Sequence, residues 1–328
     1  MQNRDEDLLK LTRRALNRFR AAILRGLLAL LCFPAPRKAP RWGRRLGQLC
    51  WLLLRRERQR SILQLQRLDP AISRSTRRSI ARSNFLHLGE ALVTGCSLSE
   101  RSGGSPVFDH SENGVRIEGV DELRQKIDSL CGEGGVIGVS GHLGAWELAA
   151  AVTCGLGHSI MAKRYNDPVE QELVAGIRER LGILPIYQDQ SLLRVLRLLN
   201  DQRMVTMLVD LDIRAMGGIH VPFLNESAHT TTAPARLMLK TGATMLPYFL
   251  IKSSNHYRFE VDEPIRLSDL NSQSDTEDQI RQLTIQMNQS IERAIRRHPE
   301  QWVWMHTRWK STPEVIQARK LRPAAPQG

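Results

Sequence analysis

Cysteine is scarce in this sequence of 328 residues. The five cysteines are widely spaced and form no CxxC motif: Cys32, Cys50, Cys96, Cys131 and Cys154. An odd number at such spacing argues against a disulfide framework and against a zinc site. We therefore expect reduced thiols in a cytosolic setting and no bound metal. No motif for an organic cofactor is present either, so we expect no cofactor.

Long apolar runs are absent as well. Residues 21–33 are apolar but contain Arg25, Pro34 ends the run, and a second run at 46–54 is shorter still. A helix that crosses the hydrocarbon core needs about 20 apolar residues. A secretory signal needs an A-x-A-like cleavage site, and none follows here. The two runs favour helices that lie on a membrane surface, although a single short spanning helix stays open.

Positive charge is concentrated in the first quarter of the chain. Residues 1–90 contain 21 Lys and Arg against 6 Asp and Glu, whereas the rest of the chain contains 26 against 28. Apolar runs with Trp42 and Trp51 beside this charge are typical of helices bound in the plane of an anionic membrane. Two alternatives stay open: solvated helical faces, or a helical hairpin packed on the protein's own core. No basic–aromatic motif indicates nucleic acid as a partner.

The chain changes character after about residue 100. Residues 55–100 show a helical pattern that Pro70 divides, and residues 101–106 are a loop. Short apolar runs then alternate with helical patterns. The predicted strands are Val115–Val120, Val136–Ser140, Ile160–Lys163, Leu184–Tyr187, Val205–Asp210, Ile219–Phe223, Met245–Ile251 and Tyr257–Val261. The predicted helices are Leu143–Cys154, Pro168–Leu181, Ser191–Asp201, Ala233–Thr241 and Asp275–His298.

This alternation predicts an α/β fold, with a mostly parallel central sheet flanked by helices. We divide the chain into a basic, helical, membrane-associating region (1–105), an α/β domain (106–315) and a flexible tail (316–328). Sheets of this kind bind ligands at the carboxyl ends of their strands.

One such strand end carries the candidate chemistry, in the stretch "VSGHLGAWELAA". His142 follows a predicted strand, and Glu147 lies five residues later in the first turn of the next helix. A carboxylate that holds one nitrogen of an imidazole leaves the other nitrogen free as a general base. Gly144 beside the histidine allows a close backbone approach by a substrate. The alternative is an ordinary turn histidine followed by a helix-start glutamate.

The stretch "GHLGAWELAA" resembles the HX4(D/E) motif of glycerolipid-type acyltransferases, and in particular its form in the bacterial lipid A late acyltransferases. Three further blocks are similar to that family in the same order. They are "MAKRYNDPVEQELVAGIRERLGI" (161–183), "VTMLVDLDIRAMGGIHVPFLNESAHTTTAPARLMLKTGATMLP" (205–247) and "HPEQWVWMHTRWK" (298–310). The resemblance covers roughly residues 115–311.

The resemblance implies roles for single residues. His142 matches the catalytic base and Glu147 its acidic partner. Arg164 matches the arginine that follows a strand in the family's next block, and we expect it to contact the acyl thioester or an acceptor phosphate; the alternative is a surface ion pair with Asp167 or Glu170. Asp210 matches an acidic residue at a strand end, and Thr231 lies in a threonine-rich turn that lines the substrate groove. The tryptophans, His306 and Arg308 of the last block are given no chemistry.

Some positions depart from the family's pattern. Ala145 stands in place of Asn, Leu211 in place of Gln, and Asn225 and Ala233 in place of Gly. None of these changes affects His142 or Glu147. They leave the identity of the acceptor open, because they lie around the presumed lipid-binding turn.

The resemblance implies an acyltransferase at the cytoplasmic face of a bacterial inner membrane. It would move a fatty acyl group from acyl carrier protein, or from acyl-CoA, to a hydroxyl of a lipid A-type glycolipid precursor. The alternatives are the same chemistry on a lysophospholipid or another glycolipid, and a non-catalytic basic scaffold that binds membranes.

Overall fold

The computed structural model describes residues 21–101, 115–188, 192–213, 217–270 and 274–311. The strands are β1 (Arg116–Glu118), β2 (Val136–Ser140), β3 (Ser159–Ala162), β4 (Ile186–Tyr187), β5 (Met204–Leu208), β6 (Ile219–Phe223), β7 (Glu226–Thr230), β8 (Thr244–Ser253) and β9 (His256–Val261). The helices are α1 (21–32), α2 (Ala39–Leu53), α3 (Arg55–Gln64), α4 (Arg74–Ser99), α5 (Val120–Glu133), α6 (Trp146–Gly155), α7 (Pro168–Arg180), α8 (Leu192–Asn200), α9 (Ala233–Thr241) and α10 (Thr276–Arg297).

Seven of the strands form one sheet, in the order β1-β9-β8-β2-β5-β3-β4. Neighbouring strands are parallel except for β8 and β9, which are antiparallel. β6 and β7 form a separate antiparallel hairpin. The structure thus confirms the predicted α/β fold with a mostly parallel sheet.

The sheet is covered on both of its faces. Along β2, Val136 points into one apolar core, whereas Ile137 and Val139 point into the other. Helices α5 and α6 cover the first face, and α8, α9 and α10 contribute to the core on the second. Burial on both faces explains why the central strands read as continuous apolar runs.

Two elements were not predicted. α5 was missed in the stretch "VDELRQKIDSLCGE", and β7 was missed because its sequence "ESAHT" is polar. β7 is held by its antiparallel pairing with β6, which is a tertiary contact and not a local propensity. Three predicted features lie wholly or partly outside the described residues: positions 102–106 of the loop predicted at 101–106, the predicted helix start at Ser191, and the tail at 316–328.

The N-terminal helices have one packed side and one exposed side. Trp51 of α2 and Phe85 of α4 lie in the same core as Trp302. Other large apolar side chains in this region are exposed. They lie on α1, on α2 or directly after one of these helices: Ile23, Leu27, Leu30, Phe33, Trp42, Leu49, Leu52, Leu53 and Leu54. No helix within the described ranges has both the length and the apolar character that crossing a bilayer requires.

Candidate active site

His142 and Asp210 lie side by side at the carboxyl ends of two neighbouring strands. Ser140, the last residue of β2, is in register with Leu208, the last residue of β5, and each candidate residue lies two positions further on. Nδ1 of His142 is 2.8 Å from Oδ1 of Asp210. The backbone N–H of His142 also donates to Oδ2, at 2.7 Å. The same carboxylate therefore fixes both the imidazole ring and the chain that carries it.

Asp210 is held as an ionised carboxylate. Its side chain is 1 % exposed, and Nε1 of Trp302 donates to Oδ2 at 2.8 Å. Burial alone would raise the pKa of Asp210. The His142 charge and the hydrogen bonds from His142 and Trp302 outweigh burial and lower the pKa to about 2. The negative charge is thus present throughout the physiological pH range.

The environment of His142 favours a proton on its ring. Burial lowers the pKa of His142, but the Asp210 charge and hydrogen bond outweigh burial and raise the pKa above its ordinary value. Because Nδ1 is engaged by Asp210, Nε2 is the nitrogen left for chemistry. The ring lies 5.4 Å from the ring of Trp146 and 5.3 Å from that of His306, measured between centroids.

Glu147 has a different partner from the one predicted. Its carboxylate accepts two hydrogen bonds from Arg178 of α7, at 2.6 and 3.1 Å. No hydrogen bond joins it to His142 in the part of the chain that the structure describes. The reason is the turn after β2, which directs the imidazole toward the end of β5 and leaves Glu147 facing α7. A role for Glu147 in catalysis stays a prediction, but the carboxylate on the imidazole is Asp210.

The turn that carries His142 is held on both sides. Gly144 N donates to the Gln301 carbonyl at 3.1 Å, and Ala145 N donates to the Leu250 carbonyl at 2.8 Å. Gly144 has a φ of +65°, and a Cβ there would lie 2.1 Å from the Leu250 oxygen. The predicted space for a substrate beside Gly144 is thus taken by β8, because the glycine permits close packing of the turn on that strand.

A cavity of about 540 Å³ opens beside His142, a size typical of ligand sites. Three basic side chains line it, those of Lys163, Arg164 and Arg178. Three acidic side chains line it as well: Glu147, Asp167 and Glu170. An apolar part of the wall comes from α6, from β3, and from β5 and the residue after it: Ala149, Ala150, Ile160, Met161, Ala162, Met207, Leu208 and Val209. The cavity can therefore receive a ligand that has both a charged end and an apolar chain.

Two hydroxyls meet in the wall of this cavity. Tyr248 of β8 and Thr206 of β5 are 2.8 Å apart, oxygen to oxygen. Gly138 of β2 lies between their strands, and a Cβ there would lie 2.4 Å from the Thr206 hydroxyl. The glycine thus lets the tyrosine cross the middle strand. The buried pair lines the cavity together with Ala149 and Ala150 of α6.

Arg164 and Thr231 both line the cavity, as predicted for substrate contacts. The guanidinium carbon of Arg164 lies 4.1 Å from the centre of the Tyr187 ring. Thr231 is buried, and its hydroxyl accepts a hydrogen bond from Ala233 N at 3.3 Å. These positions are compatible with contact to a ligand, and that role stays a prediction for both.

The residues that depart from the family's pattern divide into two groups. Leu211 and Ala233 line the cavity. Asn225 instead donates to the Leu68 carbonyl at 3.2 Å, and Ala145 is buried against β8. Leu211 and Ala233 are therefore the departures that can contact a ligand in the cavity.

The C-terminal block at 298–310 contributes more to the site than its sequence indicated. Trp302 holds Asp210, His306 lines the cavity, and Arg308 donates to Thr230 beside Thr231 at 2.6 Å. The sequence feature that could have indicated this contribution is the tryptophan-rich string itself. Its tryptophans pack into the core, and this places the C-terminal block beside the site. In the described parts of the chain, no three His, Cys, Asp or Glu side chains gather as metal ligands.

The chain is similar to known proteins over most of its length. The family model described as bacterial lipid A biosynthesis acyltransferase matches residues 8–311. The chain is 26 % identical over 279 residues to "Lipid A biosynthesis palmitoleoyltransferase" of Escherichia coli (strain K12). It is equally similar to "Lipid A biosynthesis acyltransferase" of Shigella flexneri, and both alignments cover 83 % of this chain and 84 % of the relative. The chain belongs to the bacterial lipid A biosynthesis acyltransferase family and is an acyltransferase.

Proposed function

We propose that this protein transfers a fatty acyl group from a thioester to a hydroxyl of a lipid A-type glycolipid precursor. The observation that carries the proposal is the His142–Asp210 pair at the edge of a cavity with cationic and apolar parts. The names of both relatives refer to lipid A biosynthesis, and one names a fatty acyl group. The cavity suits such a reaction because an acyl chain needs an apolar wall and a phosphorylated acceptor needs cations.

His142 acts as the general base in this reaction. Its Nε2 removes the proton from the acceptor hydroxyl while the oxygen attacks the thioester carbonyl carbon. The tetrahedral intermediate then collapses, the C–S bond breaks, and the imidazolium returns the proton to the departing thiolate. No acyl-enzyme is required, because the acceptor attacks the thioester directly.

Asp210 orients the imidazole and stabilises its protonated form. The carboxylate engages Nδ1, so that Nε2 carries the lone pair at the start of the reaction. Glu147 has a supporting place in the same cavity: it holds Arg178, whose guanidinium lines the wall. The Glu147–Arg178 pair positions a donor or acceptor group and does not share the proton of His142.

The cationic side chains bind the anionic part of a substrate. Lys163 and Arg164 are exposed where they line the cavity. A phosphate of a glycolipid, or the phosphopantetheine of an acyl carrier protein or of coenzyme A, is a ligand of the matching charge. We favour acyl carrier protein as the donor, since an acidic protein would also be attracted to the basic first quarter of the chain.

The exposed apolar faces of α1 and α2 support association of the enzyme with a membrane. Leu30, Phe33 and Leu53 are 70 %, 79 % and 67 % exposed, and arginines flank them in the sequence. An apolar face beside positive charge binds the anionic lipid surface in the plane of the membrane. The cytoplasmic face of the bacterial inner membrane is the place where such a surface meets an acyl carrier protein.

Mass spectrometry of total lipids tests the proposal. Cells that express the wild-type chain are compared with cells that express His142→Ala at a matched level. His298→Asn serves as a control, since this histidine pairs with Glu260 and does not line the cavity. We expect a glycolipid to gain one acyl mass with the wild type and the control, but not with His142→Ala.

Two other outcomes contradict the proposal. A gain of acyl mass by a phospholipid would keep the chemistry and overturn the acceptor. Identical lipids in all strains, with glycolipid precursors present, would contradict acyl transfer and favour a scaffold that only binds membranes.

A further inference from the structure

The ring of His306 lies beside the ring of His142 in the lining of the active-site cavity. The two rings are 5.3 Å apart between centroids and are inclined by 37°. Both side chains line the same cavity, and His306 is only partly buried. A ligand group that reaches Nε2 of His142 therefore comes within reach of the His306 ring as well.

The backbone around His306 is fixed, but its ring is not engaged. Nε2 of Gln64 donates to the His306 carbonyl at 2.6 Å, and the His306 N–H donates to the Val303 carbonyl at 3.3 Å. Arg60 donates to the carbonyl of Met305 at 3.2 Å. In the described part of the chain, neither ring nitrogen of His306 has a hydrogen-bond partner. The backbone that carries the ring is thus fixed, and both ring nitrogens are available to a ligand.

Four backbone amides of the turn after β2, those of residues 142–145, already have acceptors. The amide of His142 donates to Asp210, and the amide of Leu143 donates to the Gly141 carbonyl at 2.7 Å. The amides of the next two residues, 144 and 145, donate to residues 301 and 250. These four amides are therefore not available to a developing negative charge, and a side chain at the cavity can serve as the donor in their place.

The two histidines differ in charge. Burial lowers the pKa of His306, and the nearby His142 charge lowers it further, whereas Asp210 raises the pKa of His142. When one proton is shared by neighbouring groups, the group with the higher pKa takes it. His142 therefore becomes the imidazolium, and His306 remains a neutral imidazole that carries one N–H. A neutral imidazole with a lowered pKa is a suitable hydrogen-bond donor to a carbonyl oxygen.

We propose that His306 is a second catalytic residue, which donates a hydrogen bond to the acyl carbonyl oxygen as that oxygen becomes negative. The inference rests on the proposed acyl transfer. As the acceptor oxygen bonds to the carbonyl carbon, the π electron pair moves to the carbonyl oxygen and the proton moves to His142. As the C–S bond breaks, the pair returns and His142 protonates the thiolate. His306 gains and loses no proton in either step.

Steady-state kinetics of the purified full-length protein test this role. The substrates are an acyl carrier protein charged with a fatty acid and a lipid A precursor with a free hydroxyl. For His306→Ala we expect kcat to fall by about 10²–10³, the usual effect of removing one oxyanion donor, with both KM values nearly unchanged. His306→Asn and His306→Gln each supply an amide N–H in place of the imidazole, and we expect at least one of them to recover kcat tenfold or more.

Controls separate this role from a structural one. His298→Asn should retain wild-type kcat, and the melting temperature of each variant is measured alongside. The inference is overturned if the alanine and amide variants lose kcat equally, or if KM alone changes. It is also overturned if kcat falls only in proportion to the folded fraction. Absence of turnover by the wild type would instead contradict the proposed function, and the inference with it.

Discussion

The carboxylate of Asp210 contacts both the ring and the backbone of His142, although 68 residues separate them in the sequence. The two contacts, at 2.7 and 2.8 Å, connect the ends of β2 and β5. A carboxylate that holds a histidine in this way controls its tautomer, its orientation and its affinity for a proton.

Replacing Asp210 with Asn should reduce activity and change its pH dependence. We expect kcat/KM to fall about 10³-fold, because the amide no longer stabilises the imidazolium. The His142 pKa is raised in the wild type, so activity is lost as the pH falls through that raised pKa. Without the Asp210 charge the pKa is lower, and the acid limb should shift to lower pH. Rates between pH 5 and 9 measure the shift, and an unmoved limb would contradict the assignment.

Glu147 and Arg178 should behave as one unit. The two side chains share two hydrogen bonds in the cavity wall, so removing either one leaves the other without its partner. We therefore expect Glu147→Gln combined with Arg178→Met to be no worse than the poorer single variant. The coupling in kcat/KM should be about 1 kcal/mol, because the glutamate is partly exposed. Additive losses would show that Glu147 acts independently of Arg178.

The Tyr248–Thr206 pair should determine the length of the acyl chain. Tyr248→Leu removes an aromatic ring from the wall of the cavity and enlarges it, so we expect a preference for longer acyl donors. Ala150→Leu fills the same space from α6 and should favour shorter donors. Tyr248→Phe keeps the ring and serves as the control. Competition between acyl donors of different lengths measures the preference, and an unchanged preference in both test variants would rule out this boundary.

The exposed apolar face should govern membrane binding. Combined Leu30→Ser, Phe33→Ser and Leu53→Ser changes remove side chains that would each contribute about 1.5–3 kcal/mol when buried in lipid. We expect binding to vesicles that contain phosphatidylglycerol to fall at least tenfold in a sedimentation assay. Leu184→Ser is a matched control, since Leu184 is 71 % exposed but lies outside α1 and α2. An equal loss in the control would point to a non-specific effect.

Gly144→Ala should destabilise the protein. The new methyl group would approach the Leu250 oxygen at 2.1 Å, and φ is positive at this position. We expect the free energy of unfolding to fall by about 1–3 kcal/mol, with loss of activity because the turn carries His142. Gly132→Ala in α5 meets no atom within 4 Å and should be neutral or stabilising. Denaturant titration of both variants measures the difference, and equal stabilities would contradict the account of this turn.

The sequence predicts part of this site and not the rest, for definite reasons. The apolar runs that lead to His142 and Asp210 predict two strands of a mostly parallel sheet, each with its carboxyl end near one of these residues. The structure confirms that the two strands are parallel. The order of the strands depends on packing between distant segments, so the adjacency of β2 and β5 was not predictable from local patterns. Local spacing indicated Glu147 as the partner of His142, because Glu147 is only five positions from the histidine. Asp210 is 68 positions away, and no local pattern relates two residues so far apart.

Tertiary contacts likewise decide the roles of the C-terminal block. Its tryptophans are typical of core packing, and Trp302 and Trp304 are indeed buried. The indole N–H of Trp302 that reaches Asp210, and the ring of His306 that reaches the cavity, follow only from the path of the chain after α10. Residue types alone do not distinguish these contacts from packing.

The hydrogen bonds from α3 to residues 304–306 should constrain how the sequence diverges among relatives. Arg60 and Gln64 belong to the helical region next to the exposed face, yet they hold the segment that carries His306. A chimera that takes only its first hundred residues from a relative would place non-native side chains against the segment that carries His306. The two ends of the chain should therefore diverge together, and functional recombination between relatives should need both ends from the same parent.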